Sequence, residues 1–389
     1  MRAMRNVLFL GSVLSLAACG GNEMDMAADD ELGQSVAPLH QAAPGLRVDG
    51  DYIVKLKDGA EARSVAAILG VSPNLVYSQA VNGFSVTLNE TQLRALRRNP
   101  NVEYVEEDQF ASSSASQSGA TWGLDRIDQS SSTLNSTYTY TSTGAGVHAY
   151  IIDTGILTTH SNFGGRANNV YDAFGGNGQD CNGHGTHVAG TVGSSTYGVA
   201  KGVSLHGVRV LDCNGSGTNS GVIAGIDHVR TNHIKPAVAN MSLGGGYSAT
   251  VNTAVTNLAN AGVFVAVAAG NDNANACNYS PASAPVVTTV AATTKTTARA
   301  SYSNYGSCVD IYAPGSSITS TWSNGSTNTI SGTSMASPHV AGVAALYKAT
   351  YGDASQATID AWLKNNATNN AVTSNPSGTP NKLLYKGSL

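Results

Sequence analysis

The chain has 389 residues, and its 21 lysines and arginines against 25 aspartates and glutamates give a formal net charge of −4 at pH 7. Charged residues make up 12 % of the chain, against ~25 % in ordinary soluble proteins. A surface with few and slightly acidic charges does not predict binding to nucleic acid or to an anionic membrane surface, and it agrees with export from the cell.

The first 19 residues have the pattern of a signal peptide. Two arginines precede an apolar segment, Val7 to Leu16, that is too short to span a bilayer. The run that follows, Leu16 to Gly20, resembles a bacterial lipobox in which Cys19 would be acylated. An ordinary cleavage site with a later cut, at Ala27 or Ala28, is the alternative. A lipid anchor on Cys19 is the one membrane attachment that we predict.

A small α+β unit is predicted at residues 51–110, after a polar linker at residues 20–50. Its strands and helices follow in the order βαββαβ, at residues 52–56, 60–69, 74–80, 83–88, 91–98 and 102–107. This order is typical of a ferredoxin-like fold.

Residues 111–121 are rich in Ser, Ala, Gln and Gly, and they are predicted to form an exposed, cleavable linker. Strands and helices then alternate through residues 122–389. The strands are predicted at 147–152, 205–211, 238–243, 263–268, 286–291 and 309–312, and the helices at 184–192, 220–233, 250–260, 334–350 and 355–364. The alternation predicts one α/β domain with a mostly parallel sheet and helices on both of its faces.

Three motifs in this domain place reactive side chains at the ends of predicted elements. Asp153 ends an apolar strand, and the carboxyl edge of a parallel sheet is where α/β proteins form their sites. His184 begins a helix of small residues, and Ser334 begins an apolar helix. Each residue alone has a structural explanation, such as an N-cap for the serine. Together, in the order Asp, His, Ser, they predict a nucleophile, its base and an orienting carboxylate.

The runs Asp153-Thr154-Gly155, Asn182-Gly183-His184-Gly185-Thr186-His187 and Gly332-Thr333-Ser334-Met335-Ala336 resemble the motifs of subtilisin-like serine proteases, in particular those of the proteinase K branch and its aqualysin-like members. The resemblance extends from about Trp122 to Tyr385. It implies a subtilisin-like α/β fold and an endopeptidase that forms an acyl-enzyme on Ser334. No cofactor is then expected to take part in the catalysis.

Asn271 is the predicted oxyanion donor. It follows a strand and two small residues, so that its amide can reach the tetrahedral oxygen together with the Ser334 N–H. An asparagine in a turn is the structural alternative. His187, three residues after His184, raises the question of a zinc site. The sequence lacks a third ligand and the glutamate of an HExxH motif, so we interpret His187 as a structural histidine.

Two segments without bulky side chains predict where an extended peptide binds, because glycine lets a peptide strand approach and pair with the backbone. They contain Gly215, Ser216, Gly217, Ser242, Leu243 and Gly244. Plain surface turns are the alternative. By resemblance, these segments hold the acyl side of the substrate. The small residues Ala268, Ala269 and Gly270 would leave an open S1 pocket that favours apolar or aromatic side chains.

Four cysteines in the body of an exported enzyme predict two disulfides, with three connectivities open. The sequence has no CxxC spacing, which argues against zinc. Resemblance to aqualysin-like enzymes favours Cys181–Cys213 and Cys277–Cys308. Each bridge would close a loop of about 30 residues and stabilise the fold by on the order of 3 kcal/mol.

The resemblance also implies structural calcium. Pro285, Val287 and Asp310 match a site built from two backbone carbonyls and one carboxylate, and oxygen ligands of this kind suit Ca²⁺. A second, weaker site is predicted at Asp125, Asp128 and Gln129, although Asn135 stands where an acid is expected. The alternative for Asp310 is a cap at the end of a strand.

The small unit at residues 51–110 resembles the inhibitory pro-segments of the same family, with an unrelated accessory domain as the alternative. We therefore expect a self-processing zymogen that is cut between Phe110 and Gly119 and matures to a chain starting near Ala115. The expected product is a monomer whose partners are protein substrates and its own propeptide.

Two other classes of function are alternatives. A peptide-binding module without turnover would keep the groove but would not need the full Asp, His, Ser and Asn set. An esterase of the α/β-hydrolase type would carry a GxSxG elbow and place its serine first in the chain. Neither feature occurs here, so the sequence favours the peptidase.

Overall fold

The computed structural model describes residues 36–42, 47–109 and 114–389. The described residues up to Gln109 form one compact unit, and those from Ser114 form a second. The predicted signal peptide, Cys19, the alternative cut at Ala27 or Ala28 and residues 110–113 of the predicted cleavage region lie outside the described residues. In the part of the chain that the structure describes, no helix has the length and apolar character needed to cross a membrane.

The first unit is a five-stranded sheet with two helices. Its elements are β1 Leu39–His40, β2 Arg47–Leu56, α1 Ala62–Ile68, β3 Leu75–Tyr77, β4 Gly83–Thr87, α2 Glu90–Arg97 and β5 Val102–Gln109. The strands lie in the order β1-β5-β2-β4-β3. From β2 onwards the elements follow the predicted ferredoxin-like order.

The first unit has a core of its own, which follows from period-two alternation along β2. Tyr52, Val54 and Leu56 are buried, whereas the residues between them are only half-buried. They pack with residues of α1 and of β4, such as Val65 and Phe84. Because β1 and the start of β2 fall within residues 20–50, the predicted linker is too long at its carboxyl end.

The second unit is built on a nine-stranded sheet. Its helices are α3 Trp122–Ile127, α4 His184–Gly193, α5 Asn219–Asn232, α6 Ala249–Asn260, α7 Thr333–Tyr351 and α8 Gln356–Asn366. Its strands are β6 Ala115–Ser118, β7 Thr137–Tyr140, β8 His148–Asp153, β9 Ala167–Asp172, β10 Ser204–Arg209, β11 Ala237–Met241, β12 Gly245–Gly246, β13 Phe264–Ala268, β14 Tyr279–Ser280, β15 Thr288–Thr293, β16 Ile311–Pro314, β17 Ile318–Thr321, β18 Thr327–Ile330, β19 Thr368–Asn369 and β20 Lys382–Leu383.

The large sheet has the order β19-β20-β16-β15-β13-β11-β8-β10-β9, and all its neighbours are parallel except β19 and β20. Strand β8 shows how the two faces are filled. Ala149 and Ile151 enter one core cluster with α4 and α7, while Tyr150 and Ile152 enter another with α5 and α6. Helices therefore cover both faces, as the alternation of elements predicted.

The topology determines where a site can form. The chain leaves β8 for the edge strand β9, returns to β10 beside β8, and then crosses to β11 on the other side of β8. Such a switch in direction opens a crevice at the carboxyl ends of the strands, and Asp153 is the last residue of β8.

One part of the predicted linker at residues 111–121 is a strand instead. Strand β6 pairs antiparallel with β7, in a register that sets Ala115 against Tyr140. The side-chain amide of Gln117 also donates to the carbonyl oxygen of Thr196, at 3.0 Å. Residues from Ala115 onwards are therefore bound into the second unit.

Candidate active site

Asp153 and His184 are held together by the packing of β8 against α4. The Nδ1 atom of His184 lies 2.7 Å from Oδ1 of Asp153. The N–H of Thr154 donates to the same oxygen at 2.8 Å. Asp153 is fully buried, whereas the His184 side chain is 24 % exposed. The carboxylate therefore fixes one ring nitrogen of His184 and leaves the other for a proton transfer.

The electrostatics of His184 suit a general base that becomes positively charged. Burial lowers the pKa of the imidazole, but the nearby charges of Asp153 and Asp180 and the hydrogen bond to Asp153 outweigh burial and raise it. A raised pKa means that the imidazolium, which must form when His184 accepts a proton, is stabilised where it stands.

Ser334 is the second residue of α7, so its N–H is one of the first four of that helix, which have no acceptor within the helix. In the described structure its hydroxyl donates to the carbonyl oxygen of Ser242 at 3.1 Å and not to His184. Ser334 and His184 line the same cavity of about 700 Å³. For Ser334 to act as a nucleophile with His184 as its base, its hydroxyl would have to turn from Ser242 to His184.

Pro338 explains why the carbonyl oxygen of Ser334 needs a donor from outside α7. It is the sixth residue of α7, deeper in the helix than the first turn, and it has no N–H to give to the carbonyl oxygen of Ser334 four residues earlier. The hydroxyl of Ser242 donates to that oxygen instead, at 2.7 Å. The Ser242 hydroxyl in turn accepts from the Asn240 amide at 2.8 Å.

Asn271 has its amide orientation fixed by a residue that sequence reasoning missed. Its Oδ1 accepts the Thr333 N–H at 2.8 Å and the Thr333 hydroxyl at 3.0 Å. The Thr333 hydroxyl oxygen accepts the N–H of Gly270 at 3.1 Å. Because these donors occupy the oxygen of the Asn271 amide, its NH2 group must face a different direction. Asn271 also lines the cavity. The threonine directly before Ser334 was the available sequence signal.

The structure brings every predicted substrate-binding residue to the same cavity. Gly215, Ser216, Gly217, Ser242, Leu243, Gly244, Ala268, Ala269 and Gly270 all line it. The first segment is held in a turn because Oδ1 of Asp212 accepts the N–H groups of Asn214 and Ser216 at 2.9 and 3.0 Å. Two segments rich in Gly and Ser thus border the cavity.

Two disulfides join Cys181 to Cys213 and Cys277 to Cys308, the pairing that the resemblance implied. The first bridge connects the segment just before His184 with the segment just before Gly215. The amide of Asn182 adds a hydrogen bond to the carbonyl oxygen of Cys213 at 3.0 Å. The segment before His184 and the segment before Gly215, which borders the cavity, are therefore cross-linked to each other.

His187 has the surroundings of a structural histidine. It is fully buried, and its Nε2 lies 3.0 Å from the carbonyl oxygen of Ile318. Burial lowers its pKa to about 4, so the ring is neutral near pH 7. Among the described residues, no group of three or more His, Cys, Asp and Glu side chains could hold a metal ion.

The predicted calcium site has an excess of negative charge, and both oxygens of Asp310 already have partners, since Oδ2 accepts the N–H of Thr289 at 2.8 Å. Pro285 and Val287 lead into β15, and Asp310 leads into the neighbouring parallel strand β16. Oδ1 of Asp310 pairs with Lys364 at 2.7 Å, and Lys364 also pairs with Asp360 at 2.6 Å. Two carboxylates thus share one ammonium group, and burial raises the pKa of Asp310. The two carboxylates and one ammonium group leave an excess of negative charge, which an added cation would stabilise.

The second predicted calcium set does not fit a cation. Asp125 accepts three N–H groups, from the Gln129 side chain at 2.9 Å, Asn135 at 3.1 Å and Ser136 at 2.7 Å. Gln129 thus presents a donor rather than an oxygen. Asp128 accepts the N–H of Thr139 at 2.8 Å. These side chains close the loop between α3 and β7, and we propose no metal there.

Comparisons with known proteins agree with this geometry. The model of the subtilase family matches residues 144–382, and that of peptidase inhibitor I9 matches residues 70–113. The extracellular serine proteinase of Thermus sp. (strain Rt41A) is 57 % identical over 97 % of this chain and 98 % of its own. Proteinase R of Parengyodontium album is 46 % identical over 90 % of this chain and 92 % of its own.

A solved structure gives the same result for the fold. The crystal structure of a cold-adapted subtilisin-like serine proteinase is 53 % identical, with a TM-score of 0.68 over 70 % of this chain and 99 % of that one.

Proposed function

Because the chain belongs to the subtilase family, we propose that it is a secreted serine endopeptidase that cleaves the peptide bonds of proteins through an acyl-enzyme on Ser334. The observation that carries this proposal is the Asp153–His184 pair, 2.7 Å apart, beside a cavity that Ser334 and Asn271 also line. The catalysis requires no cofactor in this mechanism, since side chains supply the nucleophile, the base and the oxyanion donors.

The proposed reaction begins when the Ser334 oxygen attacks the scissile carbonyl carbon and His184 takes the hydroxyl proton. Asp153 holds the imidazolium without taking its proton. The Asn271 amide and the Ser334 N–H donate to the oxyanion of the tetrahedral intermediate. His184 then gives its proton to the leaving amine, and a water molecule repeats the same steps to release the acid.

We further propose a broad specificity with a preference for apolar or aromatic P1 side chains. The support is the composition of the cavity wall at Ala268, Ala269 and Gly270, which carries no bulky or charged group. Peptides that differ only at P1 test this point. A series led by Glu or Asp at P1 rather than by Phe or Leu would overturn it.

We also propose that the first unit is an inhibitory propeptide that the enzyme removes from itself. The I9 match over residues 70–113 supports this role, and so does the strand at Ala115–Ser118, which a cut near residue 115 leaves in the second unit. The signal peptide and a lipid anchor on Cys19, present until this cut, belong to the same proposal.

We also propose a structural calcium held by Asp310 with the carbonyls of Pro285 and Val287.

Replacement of the nucleophile tests the proposal. Ser334→Ala should accumulate as an uncleaved precursor in a protease-free host, whereas the wild type should yield a chain that starts near Ala115. A fluorophosphonate should label the wild type on Ser334 and leave the variant unlabelled. Labelling without hydrolysis of a protein substrate would favour the esterase, and absence of labelling would favour the peptide-binding module.

A further inference from the structure

A second carboxylate, Asp180, lies in the segment directly before α4 and is only 7 % exposed. Its Oδ1 accepts the Thr154 hydroxyl at 2.9 Å and the N–H groups of Asn182 and Gly183, each at 2.9 Å. Its Oδ2 accepts the N–H of Thr186 at 2.9 Å and the hydroxyl of Thr186 at 2.6 Å. Five donors thus surround one buried carboxylate.

The Asp180 carboxylate caps α4, because the N-cap residue itself has no side chain that could do so. The N-cap of α4 is Gly183, with φ at +114°, and a Cβ there would lie 2.3 Å from the Trp322 ring. A side chain is therefore excluded at the usual capping position. Asp180 reaches in from three residues upstream and binds the orphan N–H of Thr186, in the first turn of the helix that His184 begins.

The same carboxylate also connects α4 to the strand that carries Asp153. The Thr154 hydroxyl, which donates to Asp180, accepts the N–H of Gly185 at 2.8 Å. The Thr154 N–H donates to Asp153 itself. The approach is close enough that a Cβ on Gly185 would lie 2.2 Å from the carbonyl oxygen of Gly155. Asp180 and Thr154 thus fix the residues on each side of the Asp153–His184 hydrogen bond.

We propose that Asp180 is a positioning residue for the general base, holding His184 against Asp153 and supporting its imidazolium by its own negative charge. This inference rests on the proposed roles of Asp153, His184 and Ser334. The charged and titratable groups that face His184 are Asp153 on β8, Asp180 before α4 and the neutral ring of His187 in its own helix. Both carboxylates favour protonated His184.

Asp180→Asn is the first test, with Asp172→Asn as the matched control. Asp172, the last residue of β9, is also a carboxylate that accepts backbone N–H groups, and it pairs with Arg209 at 3.3 Å, but its described hydrogen bonds do not reach α4. Because the base is misplaced, we expect Asp180→Asn to lower kcat by about 10–100-fold with little change in KM. We also expect the acid limb of kcat/KM to move to lower pH. Asp172→Asn should change neither quantity.

A structural role alone would lower the melting temperature and leave kcat and the pH profile of the folded fraction unchanged, and that result would overturn the proposal. If Asp180→Asn does not fold, Thr154→Val and Thr154→Ser test the same connection. Valine removes the hydroxyl between Asp180 and Gly185 and should lower kcat, while serine keeps the hydroxyl and should restore it. Equal kcat in the two variants would also overturn the proposal.

If fluorophosphonate labels wild-type Ser334 but Asp180→Asn retains a normal rate, only the role of Asp180 fails. If the wild type is not labelled, the proposed function fails first.

Discussion

Ser242 and Ser334 exchange hydrogen bonds in both directions. The Ser242 hydroxyl donates to the Ser334 carbonyl oxygen at 2.7 Å, and the Ser334 hydroxyl donates to the Ser242 carbonyl oxygen at 3.1 Å. One bond replaces the helix donor that Pro338 lacks, and the other holds the nucleophile in a resting position. A residue at the border of the cavity is thereby attached to the nucleophile itself.

Ser242→Ala should therefore weaken both the fold and the catalysis. It removes the hydroxyl donor to the partly buried carbonyl oxygen of Ser334, which should lower the free energy of unfolding by about 1 kcal/mol. Denaturant unfolding of the inhibited enzyme measures this change, and steady-state kinetics should show a lower kcat. Ser242→Thr keeps the hydroxyl and serves as the control. A Ser242→Ala enzyme of unchanged stability would contradict the role given to this bond.

Asn271→Ala should fold normally and bind peptide with little change, yet its kcat should fall roughly 10²–10³-fold, the loss known for such a donor in subtilisin. Thr333→Val should give a smaller loss, since it removes the hydroxyl bond to the Asn271 oxygen and leaves the bond from the Thr333 N–H in place. Thr333→Ser restores the hydroxyl and should recover most of the rate. Wild-type kcat in Asn271→Ala would remove this residue from the mechanism.

Three buried histidines should make the enzyme sensitive to mild acid. Burial lowers the pKa of His187, His206 and His339 to about 4 each, whereas in the unfolded chain histidine titrates near about 6.5. Between these values the unfolded chain binds more protons, so each histidine lowers the free energy of unfolding by up to about 1.4 kcal/mol per pH unit as the pH falls. His184, with its raised pKa, acts in the opposite direction.

Denaturant unfolding of the fluorophosphonate-inhibited enzyme between pH 7.5 and pH 5 checks this prediction, because inhibition prevents autolysis. The unfolding free energy should decrease steadily over this range. His206→Gln should reduce the slope, since the position no longer takes up a proton on unfolding. A free energy independent of pH would show that these rings take up protons in the folded protein over the same pH range as in the unfolded chain.

Removal of calcium should lower the melting temperature by roughly 5–10 °C, as expected when a ligand stabilising by a few kcal/mol is withdrawn. Asp310→Asn should blunt this response. Asp227→Asn, which changes an exposed carboxylate on α5, should keep it. Calorimetric titration of Ca²⁺ into the chelated protein gives an independent measure of binding. A melting temperature that chelator does not change in the wild type would contradict the site.

The separately produced first unit, residues 36–109, should inhibit the mature enzyme, because it has its own buried core around Val54, Val65 and Phe84. Circular dichroism first establishes whether the segment folds, and inhibition is then measured with a peptide substrate. The same segment with Val54→Asp and Phe84→Ser, which disrupts that core, is the control. A folded segment that leaves the activity unchanged would argue for an accessory domain.

The side chains that we propose as catalytic could be selected from the sequence because each lies in a short local motif at the end of an element with strong apolar character. Asp153 ends a buried strand, and Ser334 begins a helix that is almost wholly buried. The bonds that position them could not be predicted in this way. Ser242 and Ser334 are 92 residues apart, and hydroxyl pairs between distant loops leave no periodicity in a sequence.

Polar strands were the other features that the sequence did not predict. Strand β6 reads Ala-Ser-Gln-Ser, without the alternation of apolar and polar residues that marks a half-buried strand. Strand β9 contains two asparagines and an aspartate at the edge of the large sheet. Both were missed because their pairing depends on the neighbouring strand rather than on their own hydrophobicity.

The contact between Gly183 and Trp322 has an evolutionary consequence. The space that a side chain at 183 would need is filled by the indole, and the backbone there has a positive φ that disfavours other residues. Neither position can change freely without the other. Among natural relatives, a larger residue at 183 is expected only where 322 has become small, and a bulky aromatic at 322 should always accompany glycine. Loss of the tryptophan would remove only the steric block, and the positive φ at 183 would also have to change before a side chain there could cap α4 in place of Asp180.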